Sequence, residues 1–389
     1  MQFDFDRPII RTGTGSVKYD GLKEFFNNPD LIPMWIADMD FPVPDCVIDS
    51  IKKRTDHGIF GYTMVTRSFY DAIINWMRVK HGWEVPADWI LFSPGVVPAL
   101  TISVMALTEP GDKVLLQSPV YPPFFSSIRD NNRMLVNNQL QELDGKYCID
   151  FDDLDFKLSG GVKMMFFCNP HNPAGRVWSA PEIKQVVALC RKHNVILISD
   201  EIHSDLIYPG YRHIPSAQAG EGDANMIICM APSKTFNLAG LASAFLIIPD
   251  PELRNKMKKI MENLHISYGN IFGLVALQAA YEGGGDWLMA LIEYLSGNRD
   301  TVINFFREEL PEIRPLVPEA TYLVWLDCRN TGMNDREIKR FFTNRAGIAM
   351  NPGTVFGPGG EGFHRMNIGC TKKTLNNALD KIKKAWINR

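Results

Sequence analysis

Lys234 ends the tetrapeptide Ala231-Pro232-Ser233-Lys234, directly after the apolar run Met226-Ile227-Ile228-Cys229-Met230. An amine at the carboxyl end of a buried strand loses water, becomes a better nucleophile and can form a Schiff base with a carbonyl. Other apolar runs end on groups of equal interest. Met164 to Phe167 leads into Cys168-Asn169-Pro170-His171-Asn172-Pro173-Ala174-Gly175, and Val195 to Ile198 leads into Ser199-Asp200-Glu201-Ile202-His203. Ser93-Pro94-Gly95-Val96 joins the run ending at Phe92 to a helical pattern from Val97. In a parallel sheet these ends meet at one crevice.

Each group has a matching task. A helix entered through glycine offers free N–H groups to a phosphate, here those of Gly95, Val96 and Val97, with the Ser233 hydroxyl beside them. Asp200 suits a pyridine nitrogen that must stay protonated. Asn172 suits an amide donor at a ring oxygen, and Tyr121 offers an aromatic face for stacking. Together with Lys234 these groups describe a site for pyridoxal 5'-phosphate.

Each residue alone also has a plain structural explanation. Asn-Pro stretches make turns, Asp200 can cap a helix, Tyr121 can anchor its loop and His203 can be a satisfied half-buried histidine. Asp200, Glu201, His203 and Asp205 also resemble a metal cluster, but their spacing matches no standard zinc or iron motif, so no metal is expected. The joint occurrence at strand ends favours the functional reading.

The elements that must hold these groups are legible as a pattern. From about residue 90 to 250, apolar runs at Trp89–Phe92, Lys113–Gln117, Lys163–Phe167, Val195–Ser199, Met226–Met230 and Ala244–Ile248 alternate with helical patterns such as Pro181–Asn194. Near-continuous apolar strands are buried on both faces, and long helices between strands imply parallel crossovers. Gly283-Gly284-Gly285 breaks the pattern. A long helix to about Leu310, a strand Thr321–Leu326, a helix Asp335–Arg345 and a closing helix Thr374–Ile387 then describe a smaller α+β unit. The fold class expected is α/β, a mostly parallel sheet between helices with a smaller α+β domain. Its parts are an irregular segment over 1–45 that packs with the small domain, a large cofactor-binding domain over 46–285 and a small domain over 286–389.

Composition excludes other classes. A net charge of −3 with no basic block argues against a nucleic-acid surface. No apolar run approaches a membrane span. Seven cysteines lack any Cys-x-x-Cys spacing, and the N-terminus has no basic start and apolar core. A reduced, cytoplasmic chain is expected.

The quoted motifs give the chain a resemblance to fold-type I pyridoxal-phosphate enzymes of the aspartate aminotransferase superfamily. Asn172-Pro173-Ala174-Gly175 resembles that family's Asn-Pro-Thr-Gly element, Asp200 its pyridine partner and Ser233-Lys234 its Schiff-base element. Arg365, in Phe363-His364-Arg365-Met366-Asn367, falls where the family places its carboxylate clamp. Longer strings are similar to the bacterial cystathionine β-lyase or cysteine C–S lyase group. They are Pro33 to Phe41, Gln117 to Phe125, Ser199 to His203 and Ala231 to Leu241. The resemblance implies that Ala37 and Arg365 contact substrate, that His203 replaces a tyrosine at the ring oxygen, and that Ala242 replaces a phosphate-binding arginine. It departs at Gly369-Cys370-Thr371-Lys372, where the group reads Ala-Cys-Pro-Arg. It further implies a homodimer, with Tyr62 reaching a partner's cofactor phosphate.

The activity implied is β-elimination from an amino acid with sulfur on its β-carbon, giving pyruvate, ammonia and a thiol. Two rivals stand beside it: an aminotransferase, which shares Lys234, Asp200 and Arg365, and a regulatory protein that retains the fold.

Overall fold

The computed structural model describes residues 3–220 and 225–389. Its main sheet has seven strands in the spatial order Ile90–Ser93, Ala244–Ile247, Met226–Met230, Ile196–Asp200, Val162–Cys168, Lys113–Leu116, Met134–Asn137. All run parallel except Ala244–Ile247, which is antiparallel to both neighbours. The connection before that strand is only Ala231–Ser243, holding one turn of helix and a short 3-10 turn. A parallel crossover usually carries a full helix that packs across the sheet; this connection has none, and the chain turns back.

Alternation within the strands feeds two cores. In Val162–Cys168, Met165 and Phe167 face one apolar cluster, while Met164, Phe166 and Cys168 face the other. Successive side chains point to opposite faces of a strand, so a strand covered by helices on both sides must be apolar throughout. The helix Ala180–Lys192 covers one face, held at its start by a Ser179–Glu182 capping box. The helices Val96–Leu107 and Pro251–Asn263 cover the other.

A second sheet of four antiparallel strands follows, ordered Arg314–Leu316, Leu323–Asp327, Phe363–Asn367, Asn351–Pro352. Trp325 stacks on Phe363 at 5.2 Å inside it. The 25-residue helix Gly285–Glu309 and the closing helix Lys372–Ile387 pack alongside. The expected helix Asp335–Arg345 relaxes into a π-turn at Phe341–Arg345.

The N-terminal stretch is more regular than its proline content implied. Short helices form at Val17–Asp20 and Leu22–Phe26, and Ile32–Pro33 pairs in parallel with Ile348–Ala349. A charge cluster pins it. Arg11 grips Asp38 with two bonds of 2.8 Å and Asp40 with one of 2.7 Å. Lys18, only 1% exposed, donates to Asp40 at 3.0 Å. Among the described residues no helix is long and apolar enough to cross a membrane.

Removing one member of a buried ion pair strands the other charge. Asp40→Ala is therefore expected to lower the unfolding free energy by about 3–5 kcal/mol in urea titrations. A loss under about 1 kcal/mol would mean that Asp38 alone suffices for Lys18.

Candidate active site

A cavity of about 260 Å³ opens at the carboxyl edge of the parallel strands. Gly95, Val96, Val97, Tyr121, Asn172, Asp200, His203, Ser233, Lys234 and Ala37 all line it. Ten of the expected site residues thus share one wall. Arg365 stands one layer behind, joined to that wall through Asn172. Tyr62 lies elsewhere, fully exposed in an irregular segment, which rules out burial within its own chain.

The lysine arrives on a helix of one turn, Pro232–Thr235, at the end of a fully buried strand. Its Nζ donates to the Ala37 carbonyl at 2.6 Å. Loss of water and then the charge of Arg365 lower its pKa to about 8, against the opposing pull of Asp38 and Asp200. Near neutral pH this amine holds an appreciable unprotonated fraction, as a nucleophile or base requires.

Asp200 is 3% exposed and accepts the Ile202 N–H at 3.1 Å. Burial pushes its carboxyl up to about 7, against the pull of that N–H and of Lys234. No cation is in ion-pair contact with it among the described residues. A buried acid in this state fits a cationic ring nitrogen brought by a ligand.

Arg365 is the converse case. Its guanidinium is 4% exposed, donating to Asn172 Oδ1 at 3.1 Å and to the Trp35 carbonyl at 2.9 Å, and it lies over the Phe356 ring at 4.9 Å. Burial lowers its pKa to about 10. Its Nε has no partner, and no carboxylate pairs with it among the described residues. Such a fork fits an incoming carboxylate.

His203 is held neutral. Burial first, then Lys234 and Arg365, bring it down to about 3. Its Nδ1 has no partner among the described residues, and its ring meets Tyr322 edge-on at 6.4 Å.

At the other end, the helix Val96–Leu107 has no side-chain cap on Gly95. Pro98 has no N–H, and that of Ala99 is spent on the Gly95 carbonyl. The free donors are those of Gly95, Val96 and Val97. Ser233 makes no side-chain hydrogen bond among the described residues. Ala242 lines the cavity with φ of 45° and brings no charge. An anion here is held by backbone dipoles and a hydroxyl. The whole set fits pyridoxal 5'-phosphate: an anion seat, an amine, an unpaired acid and an aromatic face.

Sequence reasoning named Ala37 as a substrate contact but missed its carbonyl as an acceptor for Lys234, and it missed Tyr322. The Ala37 carbonyl accepts from Lys234 and also from Tyr322 Oη at 2.9 Å. A carbonyl leaves no mark in sequence, but a tyrosine opening an otherwise apolar strand is a visible signal. The supposed metal cluster disperses. Asp200 and His203 face the cavity, while Glu201 bonds His213 and Asp205 bonds His81 behind it.

The Asp200 shift has a stability consequence. The folded carboxyl keeps its proton to about pH 7, while the unfolded one releases it near 4. The folded state then binds more protons, so this group's contribution falls as pH rises through that window. Cofactor-free Asp200→Asn is expected to exceed cofactor-free wild type in stability by about 2–4 kcal/mol at pH 8. The gap should close below about pH 4, and urea midpoints across pH test it. Parallel pH profiles for the two proteins would refute the shift.

The family model for aminotransferase class I and II matches residues 29–382. The chain is 44% identical to cystathionine beta-lyase PatB of Bacillus subtilis over 384 residues, 98% of this chain and 99% of that one. Its fold superposes on cystalysin from Treponema denticola, which contains a pyridoxal 5'-phosphate cofactor, with a TM-score of 0.96 and 36% identity, covering 100% of each chain. It also superposes on the PLP-bound C–S lyase of Staphylococcus hominis with a TM-score of 0.93 and 35% identity, covering 99% of this chain and 98% of that one. With a site of this geometry and a match that runs almost from end to end, the chain belongs to the aminotransferase class I and II family.

Proposed function

We propose that this protein is a pyridoxal-phosphate-dependent carbon–sulfur β-lyase acting on cystathionine or related cysteine S-conjugates. The observation that carries the reading is that Lys234 and Asp200 line one cavity: an amine lowered toward neutrality and a buried acid without a cation in contact among the described residues. The 44% identity to a protein named cystathionine beta-lyase gives the reaction class.

Pyridoxal phosphate, when bound, supplies a conjugated, protonated ring that accepts the electron pair left by a departing α-proton. The chain's own residues do the rest. The amides of Gly95, Val96 and Val97 and the Ser233 hydroxyl hold the phosphate. Asp200 keeps the ring nitrogen charged, Tyr121 covers a ring face, and Asn172 and His203 serve the ring oxygen. Arg365 and Ala37 orient the substrate's carboxylate end. The Lys234 amine removes the α-proton. The carbon–sulfur bond then breaks, and the thiol leaves. Hydrolysis of the remainder gives pyruvate and ammonia.

The same reading divides the chain into a segment over 1–45, a cofactor-binding domain over 46–285 and a small domain over 286–389 that carries Arg365. The seven free cysteines suit a reducing cytoplasm. It also makes the protein a homodimer. Tyr62 stands exposed beside Ile59, Phe60 and Met64, an apolar group a partner subunit would cover.

Incubation with cystathionine and no keto acid should yield pyruvate and homocysteine in equal amounts. Lys234→Ala should lower kcat by at least about 10³-fold. A strict need for a keto acid acceptor would make the protein an aminotransferase instead. In a second experiment, sedimentation should give twice the 44.0 kDa chain mass. Tyr62→Phe should weaken cofactor binding about tenfold, the worth of one hydrogen bond to a phosphate. A monomeric wild type at micromolar concentration would end the shared-site part of the reading.

A further inference from the structure

A helix of one turn cannot hold its own position, and Lys234 sits on one, Pro232–Thr235, with no side-chain cap at Ala231. Besides Lys234 itself, one side chain of this turn bonds to the rest of the chain among the described residues. It is Thr235, whose hydroxyl donates to Asp205 Oδ2 at 2.9 Å. Thr235 is fully buried and Asp205 is 3% exposed.

Asp205 Oδ1 accepts twice more, from Trp76 Nε1 at 3.1 Å and His81 Nε2 at 3.0 Å. Trp76 ends the helix Arg67–Trp76, which runs into the π-turn Met77–His81. A widened turn with i to i+5 bonding brings residues five apart toward one side, and such turns gather at functional sites. Burial pushes the Asp205 carboxyl up, but the bond and charge of His81, helped by Lys80 and Thr235, outweigh it and keep it below the usual carboxylate range. None of Trp76, His81, Asp205 and Thr235 lines the cavity. A second arm mirrors this one. Glu201, next to Asp200, accepts from His213 at 2.8 Å, and the two imidazoles meet edge to face at 5.6 Å.

We propose that Asp205 is a positioning residue for Lys234. Its bond to the Thr235 hydroxyl fixes the one-turn helix, and so the direction of the lysine amine, while Trp76 and His81 hold the carboxylate in place. The proposal rests on Lys234 being the residue that carries pyridoxal phosphate.

The test uses Thr235→Val, which keeps the shape and loses the hydroxyl, and Thr235→Ser, which keeps the hydroxyl. Each protein is loaded with pyridoxal phosphate. The pH titration of the visible band and the rate of cofactor loss on dilution are measured beside thermal melting of the cofactor-free proteins. Thr235→Val should lose cofactor about tenfold faster, the worth of one hydrogen bond to a charged group. Its band should titrate with a midpoint moved by about half a unit or more. Thr235→Ser should restore both. A Thr235→Val protein that melts lower but keeps the wild-type release rate and midpoint has lost packing alone, and overturns the proposal. Thr235→Ala replaces the valine variant if that does not fold. A wild type with no visible band overturns the assignment of Lys234 and this proposal together, so the wild-type spectrum separates the two failures.

Discussion

Three ionisable groups lose their water at one edge of the sheet without forming ion pairs with one another. Among the described residues Asp200 has no cation in contact, and neither Lys234 nor Arg365 has an anion. Burying a charge unpaired is among the more costly things a fold does. Here the cations are met by neutral oxygens. Arg365 rests on the Trp35 carbonyl and the Asn172 amide oxygen, and Lys234 rests on the Ala37 carbonyl. A dipole lowers the energy of a cation without cancelling its charge. Both cations therefore remain able to take an anion from outside, as a true ion pair would not allow.

That arrangement puts a heavy demand on the stretch from Trp35 to Phe41. Its carbonyls serve as acceptors for donors from distant parts of the chain. Besides Arg365 and Lys234, Asn237 bonds the Met39 and Phe41 carbonyls at 2.9 Å, and Asn367 bonds that of Asp38 at 2.7 Å. Asn367 belongs to the strand that carries Arg365, and Asn237 lies three residues past Lys234. The stretch therefore joins the lysine loop to the arginine strand through backbone dipoles. The Arg11–Asp38–Asp40–Lys18 cluster secures it from the other side, with an energetic role outside the cavity.

What the sequence revealed and what it concealed follow the same physical division. Strand ends were legible because strands buried on both faces are unmistakably apolar, and a polar residue directly after such a run is conspicuous. Gly95, Asn172, Asp200 and Lys234 were all found that way. The antiparallel strand Ala244–Ile247 fits a sheet read as mostly parallel, and its place was open to reading, since the connection Ala231–Ser243 holds no helix long enough to cross the sheet. The partners of the site residues were not legible. Lys234 meets Ala37 across 197 positions, and Arg365 meets Asn172 across 193. Pairs so distant carry no local pattern, and carbonyl acceptors carry none at all. The helices in the first 30 residues were hidden by their brevity, since four or five residues show no helical period.

The charge balance of the cavity explains which ligands it can take. Lys234 and Arg365 bring two positive charges when protonated. Asp200 brings at most one negative charge, and His203 brings none, held neutral by its burial and by those same two cations. The chain as a whole is acidic, at −3, so this excess is local. Free amides at the start of the Val96–Leu107 helix extend it to the far end. A neutral or cationic molecule gains little here. A molecule with a phosphate at one end, a carboxylate at the other and a cationic ring nitrogen facing Asp200 satisfies every group at once. The fold therefore selects by charge distribution before any side-chain pocket is consulted. The carbon–sulfur chemistry is a choice made inside a cavity already committed to a dianionic cofactor and an amino-acid carboxylate.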